Sequence, residues 1–133
     1  VGPLNEAANI VKELLSKEGI LNEWMRYLAA YRVIEGNLAL FDKLARCRDF
    51  REFEIAVYEA LRVKDRVKQK LKENVENQKI ELYGGLEPEH FDVGKDALKS
   101  IMELATRNPQ APRAVGALIA SLGLAYGGIK EVK

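Results

Sequence analysis

Leu4, Ala7, Ala8, Val11, Leu14 and Leu15 recur at spacings of three and four residues, which is one face of an α-helix. Gly19 follows as a left-handed stop. Leu21, Trp24, Met25, Leu28, Tyr31 and Val33 or Ile34 repeat the pattern up to Gly36, where the chain is free to take positive φ after a last turn. Asn37 caps a short third helix carrying Leu38, Phe41 and Leu44, because its side-chain oxygen accepts an unpaired amide of the first turn. Asp49, with Glu52 three residues on, opens the next element in the manner of a capping box.

That fourth helix is the longest expected. No Gly or Pro occurs from Asp49 to Asn77, and an unbroken helix over this span would be about 43 Å long. Phe50, Phe53, Val57, Ala60, Lys64, Val67 and Leu71 follow a heptad seam that Lys64 interrupts and that is lost at Asn74. A free coiled coil needs cleaner heptads, so the helix reads as the spine of a bundle, with fraying or a kink expected near its end.

The period then changes. Lys79-Ile80-Glu81-Leu82-Tyr83 alternates as a short strand does and runs into the turn Gly84-Gly85. One strand does not stand alone, so it requires a hairpin or an added edge. Leu86 to Gly94 reads as a loop around Pro88, and Ala97, Leu98, Ile101, Met102, Leu104 and Ala105 make a fifth helix. Asn108-Pro109 stops it, and that pair or Ala111-Pro112 opens the last helix. There Val115, Leu118, Ile119, Leu122 and Tyr126 form one apolar face, while Gly116, Ala120, Gly123 and Gly127 form a smooth one. A helix apolar all round is central to its domain or covered by a partner, and the central place is the better reading in so small a bundle. The pattern therefore predicts a mostly α fold: a single-domain helical bundle of about six helices over residues 1–133, with a small β hairpin or strand insertion near 79–86.

Composition narrows the chemistry. The 133 residues suffice for one domain with a proper core, being 47% apolar and 31% charged. Cys47 is the only cysteine and His90 the only histidine, so neither an internal disulfide nor a four-ligand Cys/His zinc site can form. Cys47 beside Arg48 has the setting of a lowered-pKa thiol, but a buried apolar role suits an unpaired cysteine better. Ser16, Ser100, Ser121 and Thr106 are the only hydroxyl side chains besides tyrosine, and none lies in a nucleophile-elbow context, which disfavours triad hydrolases. Glu87-Pro88-Glu89-His90 contains one Glu-x-x-His spacing with a proline inside it, which reads as loop polarity and leaves no metal or cofactor expected.

The longest charge-free run, Ala114 to Ile129, is sixteen residues and is broken by four glycines, whereas a bilayer span takes about 20 apolar residues. No secretory signal is visible and the native N-terminus is open, since the chain starts at Val1. A cytoplasmic protein without membrane contact is expected.

Net charge is +1, which excludes a uniformly basic coat or an acidic mimic. Its distribution is uneven. Residues 43–72 hold ten basic and five acidic side chains, so this segment carries +5 on a body of −4. Helical spacing puts Arg62, Arg66 and Lys70 on one stripe and Lys64, Lys68 and Lys72 on another. Such stripes suit a phosphate backbone, because each cation that neutralises a phosphate releases a counterion. The candidate nucleic-acid-binding residues are Arg46, Arg48, Arg51, Arg62, Arg66, Lys68, Lys70 and Lys72. A solvated, ion-paired face is the competing reading. Tyr58 and Tyr83 flank the densest part without belonging to it.

Two stretches carry a resemblance. The helix Ile55-Ala-Val-Tyr-Glu-Ala-Leu-Arg-Val-Lys64, together with the closing pair Asp96-Ala-Leu-Lys-Ser-Ile-Met-Glu-Leu-Ala-Thr-Arg107 and Val115-Gly-Ala-Leu-Ile-Ala-Ser-Leu-Gly-Leu-Ala-Tyr126, resembles the small subunit of the archaeal type I-A CRISPR interference complex (Cascade). The likeness covers about half of the chain and rests on helical texture and order. It implies a mostly helical protein with a small β insertion and no catalytic centre, which assembles along an RNA-bound backbone and helps hold nucleic acid. Other effector-complex subunits and CRISPR RNA or target DNA, held weakly and electrostatically, are the implied partners. The alternative is a helical adaptor or self-assembling module without a nucleic-acid role, and self-association stays open under both readings.

Overall fold

The computed structural model describes residues 3–125 and 127–132, with the side chains of Pro3 and Leu4 left aside. Tyr126 and the Leu4 side chain, both assigned to apolar faces above, lie outside the described residues. In chain order the elements are α1 (Pro3–Ser16), α2 (Glu18–Glu35), α3 (Ala39–Arg46), α4 (Phe50–Arg62), α5 (Lys64–Glu76), β1 (Ile80–Leu82), a 3-10 turn (Pro88–Phe91), α6 (Lys95–Ala105), α7 (Ala111–Ala125) and β2 (Ile129–Glu131). The molecule is mostly helical with a small two-stranded antiparallel sheet, as the periodicity requires.

Helix α7 is the centre of the bundle and packs against α1, α2, α3, α4 and α6. Val115 and Ile119 are buried on it. Its small residues let neighbouring backbones in: a Cβ built on Gly116 would sit 2.1 Å from the Leu44 carbonyl oxygen of α3, and one on Gly123 would sit 2.7 Å from Leu28 Cβ of α2. The smooth face is therefore core. Gly127 does not belong to it, since α7 ends at Ala125 and nothing lies within 4 Å of a Cβ at Gly127. No helix among the described residues is long and apolar enough to cross a membrane.

The expected spine is two helices. The ladder breaks at Val63 (φ −102°, ψ 13°), and the Tyr27 hydroxyl of α2 donates to the Ala60 carbonyl at 2.5 Å. A side chain inserted into the helical ladder is a recognised cause of such a break. The seam itself survives: Phe53, Val57, Ala60, Val67 and Leu71 are buried. At its interruption, the half-buried Lys64 swings out and its ammonium donates to the Val93 carbonyl at 2.6 Å.

Local signals also divide. Gly36 takes φ 63° and its N–H closes α2 on the Arg32 carbonyl, as expected. Asn37 is not the cap of α3: the N-cap is Leu38, exposed and without a side-chain cap, and Asn37 Oδ1 accepts from the Ala39 amide at 2.9 Å in a turn one residue ahead of it. Asp49 accepts from the Glu52 amide at 2.9 Å, but the Glu52 carboxylate turns to Arg48 and leaves the capping box half made. Gly19 is not the stop of α1. The chain turns at Lys17 (φ −99°, ψ 63°), and Gly19 lies in the first turn of α2. The partner of β1 comes from the far end of the chain, in the register Ile80 to Glu131, Glu81 to Lys130 and Leu82 to Ile129.

Candidate nucleic-acid interface

The eight candidate cations all lie on or beside α3, α4 and α5, but six of them have carboxylate partners. Arg46 pairs with Asp42 at 2.7 Å, Arg48 with Glu52 at 2.9 Å and Arg51 with Glu54 at 3.3 Å. These three arginines are about 80% exposed, so their pairs contribute little and yield readily to a competing phosphate. The other three pairs reach across the fold. Arg66 pairs with Glu35 of α2, Lys68 with Asp92 at 3.2 Å and Lys72 with Glu89 at 3.9 Å.

Asp92 joins the second stripe to the loop before α6. Its two oxygens take Lys64 at 3.1 Å and Lys68 at 3.2 Å. Partial burial pushes its carboxyl upward, and the hydrogen bonds and charges of the two lysines outweigh that, so its pKa lies below the ordinary carboxylate value. Phe91 and Val93, on either side, are buried and hold the carboxylate in place. The Lys64, Lys68 and Lys72 stripe is therefore largely a structural device that fastens residues 89–93 to α5.

Arg62 and Lys70 are exposed and make no ion pair among the described residues. Arg62 lies on a second feature that the seam conceals. Because Phe53, Val57 and Ala60 face the core, Arg51, Ile55, Tyr58 and Arg62 share the outer side of α4, and all four are exposed. Ile55 is 52% and Tyr58 53% exposed. Sequence reasoning placed Tyr58 only as a flank of the basic stretch and gave Ile55 no surface role, although the seam's own phase puts both opposite the core. Beside Ile55, a cleft of about 330 Å³ between α3 and α4 is lined by Asp42, Lys43, Arg46 and Glu52.

The remaining candidates for chemistry are occupied structurally. Cys47 Sγ is buried within 3.1 Å of the Leu44 and Pro112 carbonyl oxygens, and burial pushes its thiol up to about 11, far from a reactive thiolate. The Glu87 amide donates to His90 Nδ1 at 2.8 Å, and the His90 amide donates to the Glu87 carbonyl at 3.0 Å, which closes the 3-10 turn from both ends. Among the described residues, no group of three or more His, Cys, Asp or Glu is placed to hold a metal ion.

Fold and surface together define a helical bundle with a small terminal sheet and a mixed cationic and apolar outer face on α4 and α5. No protein-family model, no curated protein and no solved structure matches the chain.

Proposed function

We propose that this protein is a non-catalytic helical subunit that works through the outer face of α4 and α5, and that it serves an RNA-guided CRISPR effector of the type I-A kind. The outer row Arg51, Ile55, Tyr58 and Arg62, with Lys70 beyond the break, carries the binding part of this reading. An exposed ring flanked by cations offers a base a stacking surface and its phosphates a charge partner. The likeness of residues 55–64, 96–107 and 115–126 to the small subunit of that complex supports the choice of assembly.

Ion pairing sets the strength. Eight phosphate contacts would give a plot of log affinity against log salt a slope of about −7 on duplex DNA, whereas Arg62 and Lys70 with the readily displaced Arg51 of the same row give about −3. A slope near −3 that falls to about −1 or less in the Arg62→Glu/Lys70→Glu variant supports the reading. Unchanged binding by that variant refutes the site. Arg66 is a poor choice for reversal, because a carboxylate there would face Glu35. Co-purification from native cells with CRISPR RNA and backbone subunits tests the assembly, and recovery as a free protein counts against it.

The half-exposed Ile55 and Tyr58 favour one second reading, a protein contact on the same row, since aromatic residues and arginine are enriched at interfaces. Light scattering with and without nucleic acid separates the two. Tyr58→Ala lowers nucleic-acid affinity under the first reading and only protein association under the second.

A further inference from the structure

A hydroxyl without a partner marks a second feature beside Arg62. Tyr31 of α2 is only 6% exposed, and its ring is set edge-on against Phe41 with the centroids 6.4 Å apart. The Tyr31 hydroxyl makes no hydrogen bond among the described residues, and the residue lines a polar pocket of about 280 Å³ between α2 and the α4–α5 break. Polar atoms of buried side chains are nearly always satisfied, so this hydroxyl calls for an acceptor from outside the chain. Burial and the Glu35 and Glu59 carboxylates push its pKa up, which keeps it a donor.

Two more donors line the same pocket. Asn37 Oδ1 is committed to the Ala39 amide, which leaves the Asn37 side-chain N–H groups for a ligand. Arg62 stands in the wall and makes no ion pair among the described residues. The pocket's carboxylates are already matched, Glu35 by Arg66 and Glu59 by Lys43 at 2.9 Å. The charge left over is the single one of Arg62. A neutral ligand would leave it unused, and a dianion would press on Glu35 and Glu59, so the pocket suits a monoanion that accepts several hydrogen bonds. A phosphodiester is such a group. Arg62 also ends the outer row, one helical turn from Tyr58, so a phosphodiester held here brings an adjoining base to that exposed ring.

We propose that Arg62, Tyr31 and Asn37 form a seat for one phosphodiester group, in which Arg62 supplies the charge and the Tyr31 hydroxyl and Asn37 amide set the orientation. The source of the group rests on the nucleic-acid reading above, and the seat itself is testable without nucleic acid.

The test titrates the full chain with dimethyl phosphate, a monoanionic phosphodiester, against sodium chloride at matched ionic strength, and follows side-chain N–H signals by NMR. The Asn37 amide and Arg62 Nε–H signals shift together and saturate with a Kd of about 1 to 10 mM, the range for a ligand of so few atoms. Acetate binds more weakly; acetate binding as tight would make this a carboxylate seat and overturn the proposal. Tyr31→Phe weakens dimethyl phosphate about tenfold, the loss of one hydrogen bond to a charged group. It also holds Tm within about 2 °C of the wild type, because phenylalanine keeps the ring contact and orphans no protein group. Unchanged affinity in Tyr31→Phe overturns the seat. Oligothymidylate binding is measured on the same proteins. Binding that depends on Arg62 but not on Tyr31, with no saturable dimethyl phosphate site, overturns the seat and spares the nucleic-acid role. A saturable, Tyr31-dependent site in a protein that binds no oligonucleotide supports the seat and overturns that role.

Discussion

The close approach of α7 to α3 makes Gly116 the position where the smallest change has the largest structural consequence. Alanine in place of glycine within a helix ordinarily stabilises by about 1 kcal/mol, because less backbone entropy is lost. At Gly116 the added methyl lies 2.1 Å from the Leu44 carbonyl oxygen and 2.9 Å from Cys47 Sγ. The first of these is backbone, which cannot rotate away, so α3 must move off α7 by more than 1 Å. Overpacking of this kind costs about 1 to 3 kcal/mol, and the backbone clash places Gly116→Ala at the top of that range. Subtracting the propensity gain leaves a net loss of about 2 kcal/mol. At about 2.1 cal/mol/K per residue, the unfolding entropy of 133 residues is about 0.28 kcal/mol/K, so Tm falls by about 7 °C. Gly19→Ala is the matched control: the position is helical, exposed and has no neighbour within 4 Å, so Tm rises by up to about 3 °C. Thermal unfolding followed by circular dichroism reads both. A Gly116→Ala protein as stable as the wild type would refute the central, backbone-close placement of α7.

Three further outcomes follow from single contacts. Tyr27→Phe leaves the Ala60 carbonyl without its buried donor and lowers the urea-unfolding free energy by about 1 to 2 kcal/mol with an unchanged m-value. Asp92 has a depressed folded-state pKa, so its contribution is present above the ordinary carboxylate range and is lost as pH falls through the lower folded value. Asp92→Asn therefore costs about 1 kcal/mol at neutral pH and flattens the acid limb of stability against pH; an unaltered limb contradicts the Lys64 and Lys68 assignment. The Cys47 thiol, with a pKa of about 11, stays unmodified by a thiol reagent at pH 8 in the native protein and reacts once urea unfolds it.

Much of the helical architecture was legible along the chain because helix faces and caps depend on neighbours a few residues away. Phe53, Val57, Ala60, Val67 and Leu71 announce the buried side of α4 and α5 by spacing alone, and Gly36 marks a real boundary through a local hydrogen bond. The same phase puts Ile55 and Tyr58 on the outer side, a consequence that the search for buried positions left undrawn. Gly19 misled because a glycine without a demand for positive φ is also tolerated in a helix's first turn. The break at Val63 was hidden because its cause, Tyr27, lies 33 residues from Ala60 in the chain and reaches the carbonyl only after α2 has packed.

The candidate site shows the division most clearly. Sequence alone determined that residues 43–72 are the basic part of the molecule, since charge depends on composition and stripes depend on helical period. Only the tertiary structure decided which of those charges remain available. Glu35, Glu89 and Asp92 come from other elements and take Arg66, Lys72, and Lys64 with Lys68, leaving Arg62 and Lys70 in solvent. The same holds for the strands: alternation located β1, but its partner and register were set by where α7 delivers the end of the chain. Local order follows from short-range sterics and hydrogen bonds, whereas ion pairs and strand pairs between distant segments form only when the apolar core has brought those segments together.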